Sequence, residues 1–298
     1  MTAEAPPRVE LSHLECLALL HPLLAEIAEA AGVRVLFCKG LTAQAQDLVP
    51  DRTPGDIDLL THPSESTRLR AALEAHGWAG TDVAVPGYSR HSEVMRHPFW
   101  PIELDVHFRF PGFLAPPGDV FETLWLGRET VVVAGREVPT LGRAAHLLLL
   151  MLNQSRRASP ERLRSRAGEF ADDIHLRLSP QELLNFADVA RETGAVTPLR
   201  PVTEALGLDL DPSREGSEAL RAWQALSQSS AQIWANEWRT TPRAQRAAMV
   251  RKALWPSAQT LGLGDEASRV ALATARMHRM PRASRVALAI LRQRLRRS

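Results

Sequence analysis

Residues 35–60 read VLFCKGLTAQAQDLVPDRTPGDIDLL, and this stretch decides the fold. The apolar run Val35 to Cys38 predicts a short buried strand, Lys39-Gly40 a turn, and Leu41 to Leu48 a short helix. A polar loop, Pro50 to Gly55, leads into a second strand that opens Asp56-Ile57-Asp58-Leu59-Leu60. Side chains alternate faces along a strand, so Asp56 and Asp58 share one face while Ile57 and Leu59 take the other. Two carboxylates about 7 Å apart on one strand repel unless a cation lies between them. Hard oxygen ligands of this kind suit Mg²⁺, which commonly takes one or two carboxylates together with substrate phosphates.

A third acid lies further on. In the segment 101–109, Ile102, Leu104, Val106 and Phe108 fall on one face, and Glu103, Asp105, His107 and Arg109 on the other. On adjacent strands, Asp56, Asp58 and Asp105 could hold two divalent cations about 3.5–4 Å apart. That arrangement clamps the attacking and leaving oxygens of an in-line displacement at phosphorus.

A glycine turn, an Asp-x-Asp strand and a later strand with a third Asp resemble the nucleotidyltransferase superfamily of the DNA polymerase β type. More closely, Lys39-Gly40, Arg52, Asp56 to Leu60 and Glu103 to His107 are similar to the bacterial group labelled uncharacterised nucleotidyltransferases, with the likeness running from about Leu14 to about Asp211. The resemblance implies an α+β fold: a small mixed-sheet nucleotidyltransferase domain followed by an all-helical C-terminal domain. It implies an enzyme that moves a nucleoside monophosphate from a nucleoside triphosphate, ATP among them, to an acceptor hydroxyl, with Mg²⁺ or Mn²⁺ as cofactor. Asp56 and Asp58 would then bind both metals, and Asp105 the metal that lowers the pKa of the acceptor hydroxyl. Lys39, Gly40, Arg52 and His107 become the nucleotide-binding residues.

One position departs from the pattern. The superfamily usually has Gly-Ser after the first strand, and here Gly40 is followed by Leu41. Lys39, or backbone N–H groups of the turn, must substitute for the serine hydroxyl. The missing serine speaks for a second function, a catalytically inactive module that binds a nucleotide, RNA or a protein. A third keeps the triphosphate site but transfers the γ-phosphoryl group. The acceptor, whether small molecule, peptide, protein or RNA, does not follow from a shared fold.

Plainer readings stand beside these. Lys39 suits either triphosphate or an exposed turn, and Arg52 either phosphate or a surface pair with Asp47 or Asp51. His107 suits either proton acceptance from the acceptor hydroxyl or the orienting of a carboxylate. Cys38 reads as inert packing, and Asp172-Asp173 as helix surface. Trp223, Trp234, Trp238 and Trp255 read as core rather than as platforms for bases.

The chain has 298 residues, 45% hydrophobic and 23% charged, the balance of an ordinary globular protein. Pro139 marks a change from mixed α/β to helical signal, which divides the chain into 1–138 and 139–298. From Arg269 to Ser298 there are nine arginines and no acid, so of the total charge of +2 the first 268 residues carry −7 (+2 less 9). Within that tail, Arg282 to Arg297 reads as a basic amphipathic helix. It suits nucleic-acid backbone, an anionic membrane surface, or plain solvation. Cys16 and Cys38 give neither metal spacing nor a disulfide framework. The N-terminus lacks the pattern of a signal peptide. The longest apolar stretch, Leu147 to Leu152, falls well short of the ~20 residues that span a bilayer. No transmembrane segment and a cytoplasmic location are expected.

The remaining elements follow from caps and periodicity. Ser12 is expected to cap a helix to about Ala31 with Leu14, Leu17, Leu20, Leu24 and Ile27 on its buried face, and Ser64 a helix to His76. Further strands are expected at 82–85, 92–95 and 130–133, the last turning at Ala134-Gly135 into Glu137-Val138. Helices are expected at 141–154, from Ser159, from the capping box Ser179 to Glu182, and around 201–206, 215–238, 242–254 and 266–295.

Overall fold

The computed structural model describes residues 10–80, 91–156, 158–212, 214–226 and Arg246. Helix α1 (His13–Ala30) starts with a full capping box, in which the Ser12 hydroxyl accepts from the Glu15 N–H and the Glu15 carboxylate accepts from the Ser12 N–H. Its stripe Leu17, Leu20, Leu24 and Ile27 is buried as expected, but Leu14, in the first turn, is 49% exposed. After α1 come β1 (Val35–Cys38), α2 (Gly40–Ala45), β2 (Asp56–Thr61), α3 (Ser66–Ala75), β3 (Ala79–Gly80), β4 (Ser92–Arg96) and β5 (Glu103–His107). Then follow α4 (Pro117–Leu126), β6 (Glu129–Val133) and β7 (Arg136–Thr140). From Arg143 onward the described elements are all helices: α5 (Arg143–Ser155), α6 (Pro160–Ser165), α7 (Ala167–Arg177), α8 (Pro180–Glu192), α9 (Val196–Ala205) and α10 (Ser217–Leu226). The fold is α+β with a mixed sheet.

The sheet runs β3-β4-β5-β2-β1-β7-β6, with β2/β5 and β1/β7 parallel and the other pairs antiparallel. All four residues of β1 are buried. The alternation divides them: Val35 and Phe37 join Ile57, Leu59, Leu104 and Val106 in a core shared with α1 and α3. Leu36 and Cys38 join Leu60 in a second core built mainly by α4, α5, α8 and α9. A sheet covered on both faces explains why β1 reads as an unbroken apolar run. The hairpin β6–β7 turns through Ala134 (φ +49°) and Gly135 (φ +75°), the left-handed pair that a two-residue connection with the right twist demands.

The structure corrects two local expectations and adds two features. Ser64 does not cap α3: its hydroxyl pairs with His62 Nδ1, and Glu65 at the cap position gives its carboxylate to Arg34. Phe108 does not continue the apolar face of β5, because the strand ends at His107 and the Phe108 N–H turns away to the His91 carbonyl. The helix that starts at Ser159 ends at Ser165, where Arg166 leaves helical geometry before α7 begins. Helix α4, ten residues behind a Pro-Pro start, was not foreseen. The expected strand at 82–85, the helices at 242–254 and 266–295, most of the one at 215–238, and Trp234, Trp238, Trp255 and the arginine-rich tail lie outside the described residues. No helix among the described residues is long and apolar enough to cross a membrane.

The helical half is tied to the loop after β5 by backbone bonds. Leu114 N–H donates to the Gly194 carbonyl, Ala115 N–H to Thr193, and Gly216 N–H to Leu114. Gly194 has φ +69°, and a Cβ there would lie 2.7 Å from the Ala115 nitrogen. Gly194→Ala is therefore expected to cost at least about 2 kcal/mol, combining the left-handed penalty with the backbone clash. Thermal or denaturant unfolding of the variant measures this.

Candidate active site

The site grows from the parallel pairing of β2 with β5, whose register sets Asp58 beside Asp105 and Leu60 beside His107. Neighbouring strands run about 4.8 Å apart, so two acids separated by 46 intervening residues in sequence come to share one face. His107, two residues past Asp105, points to that face as well. Its Nε2 lies 2.9 Å from Asp58 Oδ1 and 3.2 Å from Asp105 Oδ2. Antiparallel β1 sets Cys38 opposite Asp58, and the next residue, Lys39, reaches Asp58 Oδ1 with its Nζ at 2.5 Å. One carboxylate oxygen of Asp58 is thus shared by an imidazole and an ammonium.

This group is withdrawn from solvent. His107 is 1% exposed and Asp58 6%, while Asp105 and Lys39 are half-buried. The His107 ring stacks on His91 with centroids 5.6 Å apart and tilts on Phe110 at 5.2 Å. The Lys39 ammonium also lies 5.2 Å from the centre of the Phe110 ring. Burial alone would raise the carboxyl pKa values, but at Asp58 the His107 hydrogen bond and the Lys39 charge outweigh it and lower the value. Burial acts likewise on Asp105, where hydrogen bonds from His107 and Ser92 and the His107 and His91 charges hold the carboxyl down at about 2. Burial would lower His107, but hydrogen bonds to Asp105 and Asp58 and their charges raise it.

Asp58, Asp105 and His107 bring one ligand atom each to within 4.8 Å of one another. Asp105 Oδ1 and His107 Nδ1 are buried with no hydrogen-bond partner among the described residues. A buried acceptor left unpaired costs about 1–3 kcal/mol. An orphaned carboxylate oxygen beside a second carboxylate is a donor set that fits a hard divalent cation. Asp56 stands outside the group of three, at the exposed start of β2. It is still close enough that partial desolvation first, and the Asp58 charge next, raise its pKa, with Lys39 opposing.

The remaining sequence candidates fall in several places. Gly40 (φ +47°) follows Lys39, which itself has φ +61° and ψ −158°. Arg52 is exposed in the loop before β2, where its carbonyl accepts from the Gln44 amide. Among the described residues it pairs with neither Asp47 nor Asp51. Glu103 is engaged by Arg96 on β4. Asp173 on α7 pairs with Arg177 at 2.8 Å, which fits the helix-surface reading. Cys38 is 3% exposed, and burial, followed by the Asp58 charge, pushes its thiol well above the ordinary range, so it is packing rather than a nucleophile. Trp223 packs partly against the helical core and lines a cavity of about 50 Å³ with Phe110, Gly112, His91 and Arg109.

Two residues, His146 and its partner Gln46, escaped the sequence reading. His146 on α5 is wholly buried and its Nε2 accepts the Lys39 N–H at 2.7 Å, while its Nδ1 donates to Gln46 Oε1 at 2.6 Å. The only available signal was a polar residue in the run Ala144-Ala145-His146-Leu147-Leu148-Leu149.

Residues 8–172 match the family model described as uncharacterised nucleotidyltransferase. No curated protein matches the chain in sequence. Among solved structures, it is similar to the antibiotic-resistance factor ANT(2″)-Ia in complex with adenylyl-2″-tobramycin, at 13% identity and TM-score 0.37, over 64% of this chain and 97% of that one. It is also similar to an antigenic nucleotidyltransferase-like protein from Paracoccidioides brasiliensis, at 18% identity and TM-score 0.37, over 65% and 94% of the two chains.

The directions of the pKa shifts fix a pH signature for the metal-free protein. The stabilisation from His107 is full below its unfolded value of about 6.5 and is lost as pH rises through the raised folded value. The stabilisation from Asp58 and Asp105 is full above their unfolded values of about 3.9 and is lost as pH falls, towards about 2 for Asp105. In EDTA, the stability difference between wild type and His107→Gln is expected to reach about 2 kcal/mol between about pH 4 and 6.5 and to shrink on both sides. Thermal unfolding across pH 3–9 measures it, and a flat difference contradicts it.

Proposed function

The chain belongs to the uncharacterised nucleotidyltransferase family, and from that premise we propose that it moves a nucleoside monophosphate from a nucleoside triphosphate to an acceptor hydroxyl. The acceptor oxygen forms a bond to the α-phosphorus, the bond from that phosphorus to the bridging oxygen breaks, and pyrophosphate leaves. The single observation that carries this reading is the largely buried group Asp58, Asp105 and His107, with its ligand atoms within 4.8 Å and Asp105 Oδ1 unpartnered among the described residues.

Asp58 and Asp105 would hold the divalent cation, Mg²⁺ in the first instance and Mn²⁺ as a substitute, with Asp56 completing the set from the solvent side. Bound there, the cation supplies Lewis acidity, offsetting charge on the triphosphate and lowering the pKa of the acceptor hydroxyl. His107 orients both carboxylates through one nitrogen, the second of the two roles open to it from sequence; enclosed as it is, it is poorly placed to meet an incoming hydroxyl. Lys39 takes the part of the missing serine. Thr42, the nearest hydroxyl in the turn, is spent on the Lys39 carbonyl at 3.0 Å, whereas the Lys39 ammonium is placed to exchange Asp58 for a phosphate oxygen. Arg52, exposed at the same edge, contributes a second phosphate contact. Electrostatic stabilisation at phosphorus then supplies most of the rate, as in other phosphoryl transfers.

Incubation with α-labelled and, separately, γ-labelled nucleoside triphosphates and pools of candidate hydroxyl acceptors tests the reading. Label from the α position on the acceptor, with release of pyrophosphate, is the expected result; label from the γ position alone would mean a kinase-like transfer. Asp58→Asn and Asp105→Asn are each expected to lower the rate by at least roughly 100–1000-fold. Lys39→Met is expected to weaken binding of Mg²⁺ with a triphosphate by about 10–100-fold, from the loss of one charge-assisted hydrogen bond. Calorimetry measures that, and metal-independent binding that survives all three substitutions would favour a non-catalytic binding module.

A further inference from the structure

Lys39 sits in backbone geometry that only glycine adopts at ease. Its φ of +61° and ψ of −158° place it in a region where other residues are strained by about 1–3 kcal/mol, and such strain persists only where the surroundings over-determine it. Four contacts do so here. The Lys39 carbonyl accepts from the Ala43 N–H at 3.1 Å and from the Thr42 hydroxyl, the ammonium is held by Asp58, and the N–H is held by His146.

The His146 contact is the one that comes from the helical half, 107 residues away, and its chemistry is fixed. An N–H can donate only to an unprotonated ring nitrogen, so Nε2 is bare and the proton resides on Nδ1, which donates to Gln46 Oε1. The Gln46 amide is locked in turn, because its nitrogen donates to the Glu129 carboxylate at 2.9 Å and to the Leu141 carbonyl at 2.8 Å, neither of which can donate back. Every polar atom in this relay has a partner. Burial, the Asp58 charge against it and the Lys39 charge with it, together push His146 down to about 3, so it stays neutral across the physiological range.

We propose that His146 is a positioning residue for the nucleotide site: by accepting the Lys39 N–H it holds the turn in the strained conformation that directs the Lys39 ammonium to Asp58 and, on nucleotide binding, to phosphate. The part played by phosphate rests on the nucleotidyltransferase reading; the hold on the turn does not. Through His146 the helix α5 sets the geometry of a turn that otherwise belongs to the sheet.

The test is a double-mutant cycle on Mg²⁺-dependent ATP binding with His146→Leu, Lys39→Met and the double variant, in the full chain. His146→Leu is expected to weaken binding about tenfold and to add little once Lys39 is methionine, because both act through the same ammonium. His146→Gln, which can place an acceptor oxygen near the position of Nε2, is expected to recover most of the loss. Additive effects in the cycle, or wild-type affinity in His146→Leu, overturn the proposal; a histidine needed only for packing would give additivity and no rescue by glutamine. Should His146→Leu fail to fold, Gln46→Leu, which removes the tautomer lock, takes its place in the cycle. An independent arm reads the turn without nucleotide: the Lys39 amide is expected to exchange at least tenfold faster in the variant than in wild type, relative to Leu36 and Phe37. If wild type binds no ATP, the function falls, and the exchange arm alone decides the inference: unchanged Lys39 exchange sinks it.

Discussion

Two carboxylates on neighbouring strands, Asp58 buried and Asp105 half-buried, are the constraint on which the rest of this molecule turns. Like charges at such a distance oppose each other, and burial opposes each of them. The structure answers with a buried imidazole whose Nε2 touches both acids and a lysine that caps the same Asp58 oxygen. Neither answer works without the parallel register of β2 and β5, since a slip by one residue would send Asp105 to the opposite, apolar face. The two hydrophobic cores therefore serve the charges: Ile57, Leu59, Leu104 and Val106 lock the register from one side while Leu36 and Leu60 anchor the other.

This arrangement also explains how far the sequence could be read. Strand alternation has a period of two and needs no knowledge of partners, so the common face of Asp105 and His107 was legible, as was the sheet face of Asp58. Caps are equally local, and Ser12 and Ser179 announced their helices because the bonds that satisfy an N-terminus lie within three residues. What lay beyond reach depended on pairing. Whether His107 orients acids or accepts a proton is decided by which strand lies next to β5, and no residue in the segment says which. Ser64 looked like a cap and is not one, because its hydroxyl pairs with His62 two residues back and the cap position falls to Glu65, whose carboxylate is drawn across the fold to Arg34.

His146 was hidden in a different way. In a helix buried on nearly every side, a histidine among leucines gives no periodic signal, and its partners, Lys39 and Gln46, lie about a hundred residues earlier. A polar residue in such a helix must find a bonded partner or cost several kcal/mol. Its presence within Ala144 to Met151 was therefore a question that the sequence posed without answering: which unpaired backbone or side-chain group reaches the middle of the core? The answer is the N–H of Lys39, a residue held at positive φ in the turn after β1.

Three local rules are broken in this chain, and they are broken together. A lysine occupies backbone space suited to glycine, two acids share a largely buried sheet face, and a histidine interrupts the most apolar helix. Taken singly, each is a liability of one to a few kcal/mol. Taken jointly they are one device, since the histidine holds the lysine, the lysine holds Asp58, and Asp58 shares His107 with Asp105. Sequences agree with their folds at most positions and depart from that agreement where function demands it. Here the departures are contiguous in space although they come from β1, β2, β5 and α5. That convergence, rather than any single residue, marks the face of the sheet on which the proposed chemistry rests.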